Sequence, residues 1–142
     1  MKSISVKLGV ILIGLAILGY AEAWGMDWKL FHQDDSGMYF YDTENIIRSS
    51  QDIVEVWTKL EYTEKGVIGM VIKFGKQYKN LSYSLEFWEI DCAKKRHRLS
   101  LFTAYSPEGK VLYTDEAESR PPPWKTISRG SVEESLYEAV CK

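Results

Sequence analysis

His32 stands just before Asp34 and Asp35, a spacing that could orient an imidazole for acid–base work or help to hold a metal ion. The other histidine, His97, falls inside the run Lys94, Lys95, Arg96, His97, Arg98, which begins two residues after Cys92. Cys141 is the remaining thiol. Metal sites draw on three or four convergent ligands, and neither cysteine has a second thiol nearby, so the spacing argues against a metal centre. A hydrolase needs a nucleophile, a base and an orienting acid in one cleft, and the bases here are limited to His32, His97 and carboxylates. For His32 the simpler reading is a strand end entering a polar turn. No catalytic residue, metal or cofactor is assigned.

The cysteines take their meaning from the compartment. A basic start, MKSISVK, precedes a 13-residue apolar run from Leu8 to Tyr20 and an A-x-A site at Ala21, Glu22 and Ala23. That order predicts a secretory signal peptide over residues 1–23, cleaved after Ala23, and one domain over residues 24–142. The apolar run is shorter than the ~20 residues of a membrane-spanning helix, so no stable transmembrane segment is expected after cleavage. In an oxidising compartment Cys92 and Cys141 have one intramolecular pairing open to them. Closing that loop should stabilise the fold by roughly 4 kcal/mol in the chain-entropy model. The whole chain carries a formal charge of −2, and loss of Lys2, Lys7 and Glu22 makes the mature domain slightly more negative. Without a basic excess, nucleic acid is not an expected partner.

From Trp28 onward, short alternating runs separated by turn residues predict antiparallel strands. WKLFH, the DDSG turn and MYFYD form a first hairpin; Val54, Val56, Thr58, Leu60 and Tyr62 then mark one face of a long strand. Residues 64–80, with three glycines among apolar residues and no clean period, read as a long hairpin loop with some strand character. The next strand, Leu81 to Cys92, changes phase near Phe87, which implies either a bulge there or a sheet covered on both faces. A turn centred on Lys94 and Lys95, of two or four residues, would place Cys92 opposite His97, Ile90 opposite Leu99 and Trp88 opposite Leu101. On the other face Asp91 would meet Arg98, Glu89 would meet Ser100, and Phe87 would meet Phe102. Most of the basic run then becomes a solvated hairpin end rather than an anion site. KVLYTDE (110–116) supplies a sixth strand, and PPPW (121–124) a stiff connector. Ser131 and Glu134 form a capping box for a helix whose Val132, Leu136, Ala139 and Val140 recur at helical spacing. The fold class is therefore α+β: about six antiparallel strands, with a C-terminal helix packed on one face and tied by the Cys92–Cys141 disulfide.

WKLF near the mature start, G-x-YFYD followed by ENIIRS, VEVWTKLEY, WEIDC with basic residues and RLSL, and the closing GSVEESLYEAVC occur in an order that resembles the surface-adhesin protein E family. The resemblance spans nearly all of residues 27–141. It implies a six-stranded antiparallel sheet with a disulfide-tethered terminal helix on its concave face. It also implies an exported, non-enzymatic module that contacts extracellular-matrix or envelope proteins from the periplasm, the cell surface or the medium. The predicted cleavage point carries no cysteine for a lipid anchor. Leu85, Phe87 and Phe102, expected on the sheet face opposite the helix, form the candidate interaction surface, which also suits a homodimer. A structural envelope-assembly protein and a small hydrolase are the alternative functions.

Overall fold

The computed structural model describes residues 26–116 and 122–142; the signal peptide expected over residues 1–23 and part of the proline connector lie outside the described residues. The first hairpin joins β1 (Trp28–Asp34) to β2 (Gly37–Asp42). Asp34 shapes its turn by accepting the Ser36 and Gly37 N–H groups at 2.9 and 3.3 Å. After β3 (Ile47–Arg48), the long strands β4 (Ile53–Tyr62), β5 (Tyr83–Asp91), β6 (Arg96–Tyr105) and β7 (Val111–Glu116) complete an antiparallel path β1-β2-β4-β5-β6-β7. Those six match the sequence expectation. Among the described residues the sheet has eight strands, because β3 pairs with β4, and β8 (Lys125–Thr126) pairs with β6. At two residues each, β3 and β8 are too short to leave a periodic signal.

Residues 64–80 depart from expectation. They form α1 (Glu64–Phe74) and a 3-10 turn at Lys76–Tyr78, not a hairpin loop. Thr63 caps α1 by accepting the Gly66 N–H at 3.1 Å. Val67, Met70 and Val71, at helical spacing, pack against Tyr78, Leu81 and Ala104. The glycines that suggested a loop have other causes. A Cβ at Gly66 would collide with the Ser36 backbone, so glycine lets the helix approach the first hairpin. Gly75, at φ +116°, terminates the helix in a conformation that side chains resist.

The β5–β6 hairpin turns one residue earlier than expected. Asp91 pairs with Arg96, Glu89 with Arg98 and Trp88 with Leu99, which centres the four-residue loop 92–95 between Ala93 and Lys94. Cys92 therefore does not face His97; Ile90 does. The Asp91 carboxylate selects this turn by accepting the Lys94 N–H at 3.0 Å, while Lys95 takes a left-handed φ of 52°. The register then shifts between Phe87 and Trp88, where β6 skips Ser100. The anticipated bulge thus exists at the level of Phe87, on the neighbouring strand.

The terminal helix α2 (Val132–Val140) starts as predicted, with Ser131 accepting the Glu134 N–H at 3.1 Å. Its Leu136 and Val140 join Tyr41, Val54, Val56 and Ile90 in one core cluster. The contacts of α1 form a second cluster farther along the same sheet face. Cys92 and Cys141 are bonded, with Cα atoms 5.5 Å apart, so the bridge fastens the end of α2 to the end of β5. Among the described residues no helix is long and apolar enough to cross a membrane.

Candidate functional site

Strand alternation gives the sheet two unlike faces. On the covered face the even residues of β4 and β5, from Val54 to Leu60 and from Ser84 to Ile90, lie opposite one another. On the open face Leu30, Phe40, Lys59, Leu85 and Thr103 form a row across five strands, because each is the register partner of the next. An adjacent row joins Trp57, Phe87 and Leu101. Neither core cluster includes a residue of these rows.

The expected surface of Leu85, Phe87 and Phe102 is therefore divided. Leu85 and Phe87 lie on the open face, whereas Phe102 is partnered with Glu86 and packs in the second core cluster on the covered face. Leu101, expected beneath the terminal helix, moves to the open face opposite Phe87. The skipped Ser100 is the cause, since one extra residue reverses every later side chain on β6. The sequence reading also missed Trp57, whose ring centroid lies 4.9 Å from that of Phe87, and the Tyr83–Tyr105 stack, also at 4.9 Å. Trp57 was legible as an odd position of β4, sharing a side with Lys59. Lys59 sets its ammonium 5.9 Å from the Trp28 ring and 5.4 Å from the Tyr83 ring.

Lys94 and Lys95 stay exposed at the hairpin end, as expected, while Lys95 and the two arginines also find partners. Arg96 pairs with Asp91 at 2.7 Å, Arg98 with Glu89 at 2.8 Å and Lys95 with Glu134 at 3.0 Å. Trp124 stacks on both guanidinium groups, 4.0 Å from Arg98 and 4.9 Å from Arg96. Burial works against ionised Asp91, but the Lys94 N–H and Arg96 outweigh it and hold the carboxyl below its usual range. His97 turns inward beside Trp88, its ring 5.5 Å from the indole. It is half-buried on the covered face, opposite Ile90.

His32 sits between two groups, Nε2 at 3.3 Å from Asp34 and Nδ1 at 3.3 Å from Ser135. These are the residue types of a nucleophilic triad, but the Ser135 N–H is bonded to Ser131 within the helix. It is not an oxyanion donor, and the string instead ties α2 to β1. Among the described residues no group of three or more His, Cys, Asp or Glu could hold a metal ion.

Between α1, α2 and the covered face lies a cleft of about 970 Å3. Tyr39, Leu60, Met70, Trp88, Phe102 and Leu136 contribute to its walls, and Glu86 lies at its floor. The Glu86 carboxylate accepts from Trp88 Nε1 at 2.9 Å and from Ser84 Oγ at 3.4 Å. Burial pushes its pKa up to about 7; the hydrogen bonds from Trp88 and Ser84 oppose that shift, and the charge of Glu133 adds to it. Glu86 is the site residue that sequence reasoning missed. Its signal was parity: an acidic residue two before Trp88 and four before Ile90 must share their covered face.

The family profile described as Surface-adhesin protein E matches residues 28–142. Among solved structures, crystal form II of Haemophilus influenzae protein E is similar over 72% of this chain and 79% of that chain, at 13% identity and a TM-score of 0.48. No curated protein matches the sequence.

Proposed function

The chain belongs to the surface-adhesin protein E family, and on that premise we propose that it is an exported, non-enzymatic binding module whose open sheet face contacts a protein partner. The observation that carries this reading is the double row of Leu30, Phe40, Leu85, Trp57, Phe87 and Leu101, which no core cluster includes. Aromatic and aliphatic side chains held on a rigid sheet suit an interface, because little rotamer freedom is lost on contact. Arg98 and Glu89 supply polar groups beside these rows, and Lys59 sits within one of them, between Phe40 and Leu85. The partner class is an extracellular-matrix or envelope protein; a second copy of the chain would use the same rows. The module acts at the bacterial envelope, in the periplasm, at the surface or in the medium.

A Leu85→Ser, Phe87→Ser double variant tests the assignment. Cells expressing it should bind immobilised extracellular-matrix proteins at least ~10-fold more weakly than cells with the wild type, since truncating two central apolar side chains removes more than about 1.4 kcal/mol. Circular dichroism should show the sheet and helices retained. Unchanged adhesion and unchanged oligomer size would together refute the open face as the contact. Envelope neighbours on proximity labelling, without any matrix binding by the wild type, would favour the envelope-assembly role.

A further inference from the structure

The cleft on the opposite face is a separate feature that the adhesive reading leaves unused. We propose that it is a binding site for a small organic cation with an apolar body, the charged group seated on Glu86 and the body held among the aromatic and aliphatic walls.

Size, lining and charge lead to this ligand class. At about 970 Å3, the cleft lies at the upper end of the range occupied by small-molecule sites. Its apolar walls come from three directions: Met70 and Phe74 from α1, Leu136 from α2, and Trp88, Leu99 and Phe102 from the sheet. Among the described residues its charged lining is Glu86, Glu133 and Asp115 against one cation, Lys73. Anionic apolar molecules are therefore disfavoured, and cationic ones are favoured.

Glu86 has acceptor capacity to offer. A carboxylate presents about four lone-pair sites, and this one receives two hydrogen bonds, the Ser84 contact being long at 3.4 Å. Trp88 is itself anchored, donating also to Thr58 Oγ1 at 3.0 Å. Tyr62 completes the surroundings, its hydroxyl 3.1 Å from Ser84 Oγ. An ammonium arriving here exchanges water for a fixed carboxylate and aromatic faces, the arrangement in which cation–π attraction is strongest.

Such a ligand binds best when Glu86 is ionised. The other titratable groups facing the region are Glu133 on α2, Asp115 and Tyr113 on β7, Lys73 on α1, Tyr78 on the 3-10 turn, Tyr39 on β2, Tyr62 on β4 and His97 on β6, and burial raises the pKa of Tyr78. Burial lowers the pKa of His97, and burial, with Asp34 and Glu86 adding to it, raises that of Tyr39; desolvation likewise raises that of Tyr62. Between pH 5.5 and 8, Glu86 is therefore the group whose charge changes on the cleft floor.

Three probes of similar shape test the site on the purified, disulfide-bonded protein: 4-phenylbutylamine, 4-phenylbutanol and 4-phenylbutyrate. Calorimetry and ligand-observed saturation transfer should show the amine binding about tenfold or more tightly than the alcohol, with the carboxylate weakest. The amine affinity should fall roughly tenfold or more from pH 8 to pH 5.5, because the probe stays charged while Glu86 is neutralised. Glu86→Gln should abolish both the preference for the amine and its pH dependence. Met70→Trp, which narrows the cleft from α1 while leaving Glu86 in place, should weaken binding of all three probes. Equal affinities for amine and alcohol would reduce the cleft to an apolar pocket and overturn the proposal. So would affinities unchanged in Met70→Trp, or no binding by any probe. None of these outcomes bears on the open-face rows, and the Leu85→Ser, Phe87→Ser variant should bind 4-phenylbutylamine like the wild type.

Discussion

At the scale of single residues, the covered face holds two titratable groups whose effects on stability run in opposite directions with pH. Burial pushes the Glu86 pKa from its ordinary 4.5 up to about 7, so folding favours its neutral form. Below the unfolded value it is protonated in both states. As pH rises through the folded value, the protein must bury an ionised carboxyl, and stability is lost. His97 is held below its ordinary 6.5 by burial, with Glu133 opposing and Lys125 assisting the shift. Its contribution is present above the unfolded value and is lost as pH falls through the folded value, because the unfolded chain binds the proton more readily. The Glu86→Gln variant separates the two. Urea unfolding should show it more stable than the wild type by ~2–3 kcal/mol at pH 8, with the difference shrinking toward zero near pH 4. A constant difference across that range would show that Glu86 is not a neutralised buried acid. The sequence disclosed the position of Glu86 through strand parity, but not its environment. That environment depends on α1 and α2 flanking the cleft that residue 86 lines.

At the scale of elements, the helix α1 shows how a correct local observation led to the wrong structure. Glycines interrupting an apolar segment ordinarily mark a loop, and Gly75 does end the helix. Gly66 instead answers a tertiary demand, the close approach of the Ser36 backbone, which no local pattern could reveal. Two substitutions distinguish these causes. Gly66→Ala should destabilise the protein by about 1–3 kcal/mol although alanine is the better helix former, because α1 must be pushed off the first hairpin. Gly69→Ala should stabilise it by up to about 1 kcal/mol, since an added Cβ there meets nothing within 4 Å. Equal effects in thermal unfolding would mean that packing against Ser36 does not decide the need for glycine. The β5–β6 hairpin teaches a similar lesson. Alternation correctly assigned Trp88 and Ile90 to the helix side, but the register followed from the Asp91 hydrogen bond to Lys94, and the split of Phe87 from Phe102 followed from the skipped Ser100. Hydrophobic period reports which face a strand buries; it does not count residues in a turn or detect a residue inserted on the neighbouring strand.

At the scale of the whole molecule, the disulfide bears on the two faces unequally. The helix α2 is short, at nine residues, and would be marginal alone. It is held by Leu136 and Val140 in the core, by Arg48 donating to the Val140 carbonyl at 2.6 Å, and by the Lys95–Glu134 pair. The Cys92–Cys141 bond closes this set at its far end. Replacing both cysteines with serine should lower the unfolding free energy by roughly 4 kcal/mol, read by urea denaturation. Hydrogen exchange should quicken first in α2, because the untethered helix can leave the sheet without breaking a strand ladder. Glu133 and Leu136 would leave the cleft with it, so binding of 4-phenylbutylamine should fall in proportion to helix release. The open-face rows are carried by the sheet and contact neither helix in a core cluster. Adhesion through Leu85 and Phe87 should therefore survive in the double-serine variant under conditions where the sheet remains folded. Loss of adhesion in step with α2 exchange would place the protein contact on the helix side of the sheet and would exchange the roles assigned here to its two faces.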